Sequence, residues 1–166
     1  SKNKSLCYLC RRFARKMEKL ISKGIKVIPV NAYATDAMHE EVNKLTFDYQ
    51  TVKDIKKLEF HHVRIGYGCM SAYITCTRNN DPLIDDEFRT YFDDYLRTMC
   101  YQTLLHEAII DQEKPEHISF FNGRTSEARS ALNIAEWKHI DFTSCECRFL
   151  FPHTSAKRYT HNSLSH

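Results

Sequence analysis

An α/β domain with a mostly parallel sheet and helices on both faces is the fold class this sequence predicts. Stretches of helical periodicity alternate with short apolar runs, the pattern of strand–helix–strand units. The 166 residues suit one domain of ordinary size. A hydrophobic share of 42% against a charged share of 27% leaves enough apolar surface for a core.

The elements follow in order. Leu6, Leu9, Cys10, Phe13, Met17, Leu20 and Ile21 recur at three- and four-residue steps, which makes a basic amphipathic helix. Gly24 ends it. Ile25 to Val30 reads as a strand, with Pro29 marking an edge or an end. Thr35 and Asp36 open a short helix through Met38 and Val42, and Thr51 to Leu58 forms another. His61 to Ile65 reads as a strand closed by Gly66-Tyr67-Gly68. Cys69 to Thr77 is apolar and helical, and Arg78 to Pro82 is a loop by composition.

The longest helix runs from Asp85 to Gln112, with Phe88, Phe92, Tyr95, Met99, Leu105 and Ile109 on one face and Pro115 as its stop. His117 to Phe121 is too short for a helix and is bounded by Pro115 and Gly123, so it reads as a central parallel strand. Asn122-Gly123-Arg124 is its turn, with Gly123 suited to a positive φ. Thr125 caps a helix reaching Trp137, and Glu127 sits at its positive dipole end. Ala128, Leu132 and Ala135 face the sheet. Ile140 to Phe142 and Arg148 to Leu150 are short strands, with Cys145-Glu146-Cys147 as a turn between them. The domain spans 1–153, and 154–166 is a polar tail.

Charge and cysteine usage narrow the class. The 24 basic and 21 acidic residues give a net charge of +3, too small to argue for nucleic acid. The positive charge is uneven, since Lys2, Lys4, Arg11, Arg12, Arg15, Lys16, Lys19, Lys23 and Lys26 crowd the start. Such a helix suits a solvated face or a phosphate-bearing surface. No apolar run approaches the roughly 20 residues needed to span a bilayer. The chain opens directly on a basic helix, so its start reads as an interior segment of a longer protein. Seven Cys, several in apolar settings, read as free thiols in a reducing, cytoplasmic compartment.

In an open α/β sheet, ligands bind beyond the carboxyl ends of the strands. Asn122, Gly123 and Arg124 stand at such an end, where Asn and Arg donate to hydroxyls or phosphate beside a helix N-terminus. Glu146 follows a buried strand. Ile118 to Arg124, a helix rich in small residues to Trp137, then His139-Ile140-Asp141-Phe142 and Glu146 together resemble a bacterial glycosyltransferase family of the GT-B type, which builds capsules and other surface polysaccharides. Cys7-Tyr8-Leu9-Cys10, Ile65-Gly66 with Ser71-Ala72, and Phe151-Pro152-His153 fall in a similar order.

The resemblance implies a Rossmann-like, acceptor-side domain. Asn122, Gly123, Arg124, Glu146 and His153 would contact substrate, and no general base is assigned. It implies a nucleotide-sugar donor as substrate and no cofactor, since such enzymes stabilise the leaving diphosphate with side chains and helix dipoles. The acceptor would be a glycan or a lipid-linked glycan. The donor-binding domain would lie C-terminal and is absent here, so the isolated chain is expected to be inactive. The basic first helix would touch the inner membrane face.

Zinc is the rival reading. Cys7 and Cys10 have a zinc-site spacing, and Cys145 with Cys147 would complete four ligands in a binding module whose basic helix meets nucleic acid. The closer spacing of the second pair argues against it. His61-His62 on a strand would point to opposite faces, and His106-Glu107 lacks the second His of a zinc-protease helix.

Overall fold

The computed structural model describes residues 12, 26, 28–147 and 156–159, with only the backbone described at 127, 145–147 and 156–159. The chain divides into two compact units, Ser1–Ala32 and Tyr33–His166. The expected helix over Leu6 to Ile21 falls outside the described residues, save Arg12. The expected strand Ile25 to Val30 is not one where it is described. The Pro29 carbonyl accepts from the Ala32 N–H at 2.9 Å, turning the chain into a 3-10 turn at Val30–Tyr33.

The second unit begins with helices whose ends are written in side chains. Helix α1 spans Asp36–Asn43, with the Thr35 hydroxyl accepting the Met38 N–H at 3.3 Å. Helix α2 is one turn, Val52–Ile55, opened by a reciprocal capping box between Thr51 and Asp54. The Thr51 hydroxyl, donating to the Asp54 carboxylate at 2.7 Å, holds that carboxyl below its ordinary value. Helix α3 spans Ile65–Thr77 and α4 spans Asp86–Glu113. Asp85 caps α4 by accepting the Phe88 N–H at 2.8 Å. At the other end Lys114 takes the left-handed conformation and Pro115 prevents continuation.

The strand expected at His61 to Ile65 is instead a tight turn. Phe60 and Val63 exchange both backbone hydrogen bonds at 2.9 Å, and His61 and His62 between them have φ of 46° and 64°. Positive φ at both central residues is the geometry of a type I′ turn. Ile65 and the two glycines after it then start α3 rather than close a strand.

Strand β1 is His117–Phe121, helix α5 is Ser126–Trp137, β2 is Asp141–Cys147 and β3 is Ala156–Tyr159. β1 and β2 are parallel, with His117 opposite Asp141 and Phe121 opposite Cys145. β3 runs antiparallel to β2, giving the order β1-β2-β3. The strand expectation at His117 to Phe121 therefore holds, but β1 is an edge of this sheet and β2 is its centre. The expected turn Cys145-Glu146-Cys147 lies inside β2, with Glu146 paired to Lys157. Part of the expected polar tail is β3.

The Rossmann-like expectation is overturned. The described sheet has one parallel pair, and α5 is the described helix that packs on it. The larger core forms between helices. Val42, Ile55, Ile65, Cys69, Met70, Phe92, Leu96 and Met99 gather there with Ile134 of α5. The apolar stripe of α4 is thus covered by α1, α3 and α5, whereas a doubly wound fold would set it on a sheet.

Gly66 allows this packing. A Cβ at position 66 would lie 1.6 Å from the Ile55 carbonyl oxygen, so α3 meets the end of α2 backbone to backbone. Gly66→Ala is expected to cost at least the upper end of the overpacking range, about 3 kcal/mol. Gly68→Ala should cost less, since the atoms it meets first belong to the flexible end of Met99. Urea unfolding midpoints of the two variants check the order.

Candidate functional site

The turn after β1 forms as an Asn-centred one. Asn122 takes the left-handed conformation, φ 49°, which Asn tolerates better than most residues. Its Oδ1 accepts the Arg124 backbone N–H at 3.3 Å and the Arg124 Nε–H at 3.2 Å. The positive φ expected of Gly123 therefore falls on Asn122. Glycine at 123 gives room, because a Cβ would press on Leu132 Cδ2 at 3.0 Å and Phe120 Cε2 at 3.2 Å, and those side chains would have to give by a few tenths of an ångström. Arg124 is exposed, with its guanidinium held over the turn by Asn122.

The parallel register brings this turn and Glu146 to the same end of the sheet, since Phe121 is opposite Cys145. The side chains of Glu146, Cys145 and Cys147, and all of His153, Cys7 and Cys10, lie outside the described residues. Among the described residues no group of three His, Cys, Asp or Glu is placed to hold a metal. Cys76 and Cys100 are free thiols, and burial pushes the Cys100 thiol up to about 12.

Helix α5 starts behind the turn. Thr125 stands at the cap position, but its side chain makes no capping hydrogen bond. The first helical residue, Ser126, is buried and shares a hydrogen bond of 3.0 Å with the Tyr95 hydroxyl of α4. One face of α5 is apolar, as expected. Leu132 and Ala135 pack with Phe142, flanked by Ile118, Phe120 and Ile140, and Ala128 is buried too.

The other face is a polar seam, and here sequence reasoning missed the residues that matter. Ser126, Arg129, Ser130 and Asn133 are all buried. Ser126 with Arg129 and Ser130 with Asn133 are three residues apart, and Ser126 with Ser130 and Arg129 with Asn133 are four, so all share one helical stripe. The signal was legible as periodicity, but a polar stripe ordinarily means solvent. In this fold it meets α3 and α4. Ser130 Oγ lies 2.6 Å from His106 Nδ1. Asn133 Oδ1 accepts the Arg64 backbone N–H at 3.1 Å, and its Nδ2 donates to Glu136 at 2.9 Å. The Arg129 guanidinium lies over the Tyr67 ring, 4.8 Å from its centroid.

Further along, His62 stacks on Trp137 at 4.4 Å, and Lys138 reaches Asp111 at 2.6 Å. His61 bridges Glu107 at 2.8 Å and Glu41 at 3.5 Å. The polar contacts thus tie α5 to the helical core along its whole length. Ser130 is fully buried in mid-helix, so its pairing with His106 is structural and offers no nucleophile to a substrate.

Burial lowers the proton affinity of His106, which favours the neutral ring. The unfolded chain would then take up the proton first as pH falls below the ordinary value of 6.5. Stability contributed by His106 is present above that pH and is lost below it, toward the depressed folded value. Urea midpoints measured across that window should fall for the parent chain and show a smaller step in His106→Gln. Compared with known proteins, the chain matches no family model, no curated protein and no solved structure.

Proposed function

We propose that this chain is the acceptor-side part of a nucleotide-sugar-dependent glycosyltransferase of bacterial surface-polysaccharide synthesis. One observation carries the reading. The strand, the Asn122-Gly123-Arg124 turn, the small-residue helix and the second strand form a parallel unit with Glu146 at the same sheet end. Carboxyl ends of parallel strands are where ligands approach such units. The support is this unit and not a Rossmann-like sheet, which the described residues do not form.

In this reading Asn122 and Arg124 contact acceptor hydroxyls or a phosphate, and Gly123 keeps the turn tight against α5. Glu146 and His153 complete the acceptor cleft. The nucleotide sugar binds mainly to a further domain, and the acceptor is a glycan or a lipid-linked glycan presented at the inner membrane face. No described helix is long and apolar enough to cross a membrane. Contact with the bilayer would therefore fall to the basic first segment.

The test is a glycan array probed with the purified chain and with Arg124→Ala. The parent should retain a subset of bacterial surface glycans, and the variant should lose them while its unfolding free energy changes by no more than about 0.5 kcal/mol, as for a surface substitution. Transfer from nucleotide sugars by the isolated chain, retention of no glycan, or equal retention by Arg124→Ala would each overturn the reading.

A further inference from the structure

The polar seam leaves one group out. Arg129 is only 7% exposed, and its Nε–H has no hydrogen-bond partner. A guanidinium keeps its charge in proteins, so an orphaned N–H there carries a larger desolvation cost than a neutral group would. The Tyr67 ring offsets part of this through its π-face. It supplies no acceptor for the Nε–H.

The surroundings are cationic. Arg64, which is exposed, begins α3 one residue before Ile65. Its backbone is fastened to Asn133, one turn of α5 beyond Arg129. Burial first, and then the charge of Arg64, depress the proton affinity of Arg129, while Tyr67 and Glu136 act the other way. The Glu136 carboxylate is hydrogen-bonded to Asn133. Among the described residues neither Arg64 nor Arg129 forms an ion pair. The first turn of α3, a helix of 13 residues, has no side-chain cap; the Ile65 and Gly66 N–H groups are taken by the Val63 and Leu58 carbonyls, so the guanidinium groups and not these amides supply the positive charge.

We infer that the corner between the first turn of α3 and α5 binds a phosphate-type oxyanion, held between the buried guanidinium of Arg129 and the exposed guanidinium of Arg64, with Tyr67 orienting Arg129. A phosphate matches this set better than a carboxylate, because its double charge and several oxygens can serve two guanidinium groups at once. The oxygen facing inward would accept the orphaned Nε–H. The inference goes beyond the transferase reading and stands without it, since it concerns anion binding by this chain alone.

The test is an NMR titration that follows the Arg129 Nε–Hε cross-peak, assigned by its loss in Arg129→Lys. Inorganic phosphate and phenyl phosphate are added separately at constant ionic strength, with sodium chloride as the control. Both phosphates should shift the cross-peak saturably, and chloride should not. Tighter binding of phenyl phosphate identifies a phosphate ester as the ligand class, and tighter binding of inorganic phosphate identifies the free ion. Arg64→Gln, at an exposed position, should keep the fold and weaken binding about tenfold, the scale of one charge-assisted contact. Absence of a saturable shift with either phosphate, or unchanged affinity in Arg64→Gln, would overturn the inference.

Discussion

The structure depends on α5 burying two opposite faces of different chemistry. Leu132 and Ala135 are dry against Phe142 of the sheet. Ser126, Arg129, Ser130 and Asn133 are equally buried against α3 and α4. Apolar contacts alone, through Ile134 of α5, would already join the helix to the helical core. A helix apolar all round would join the two with no fixed rotation, because dispersion and apolar burial are non-directional. The polar stripe supplies the direction. Each of its hydrogen bonds contributes about 0.5–1.5 kcal/mol net, but a turned helix would leave several buried groups unsatisfied at once. The seam therefore fixes orientation more than it adds stability.

Much of the fold was legible where side chains mark the ends of elements. Thr35, the Thr51–Asp54 pair and Asp85 each cap a helix in the position their types suggest. Pro115 and the Asn-Gly pair bracket β1 so tightly that its span is the expected one. His61-His62 was not legible. Left-handed conformations are expected of Gly and Asn, and here two histidines adopt them because each ring finds a stacking partner, Phe60 for His61 and Trp137 for His62. The fold class failed for a related reason. Short apolar runs do not say whether they are strands or parts of buried helices, and several of them lie in helix-on-helix packing.

The candidate site was half legible. The turn Asn122-Gly123-Arg124 stands where expected, yet Asn122 and Gly123 have exchanged roles. Asn supplies the left-handed backbone and Gly the clearance beneath Leu132. Sequence shows that a turn needs both types, and only packing decides which position is pressed from behind. Arg129 was invisible for a different reason. In a helix that is read as facing a sheet on one side and water on the other, an Arg opposite the apolar stripe looks solvated, and nothing local shows that α3 covers it.

These features converge on the end of α5. Ser126 anchors its first turn to Tyr95, and Arg124, two residues earlier, is held over the turn by Asn122. Arg129 lies one helical turn on, against Tyr67. A change in the α3–α5 seam would thus be carried to the Asn122-Gly123-Arg124 turn through a rigid stretch of helix, because Ser126 and Ser130 fasten the same helix to α4 on either side of Arg129. The turn at the sheet end and the cationic corner are therefore two parts of one mechanical element. The N-terminus of α5 is held by Ser126 on Tyr95, and Arg124 is placed by Asn122.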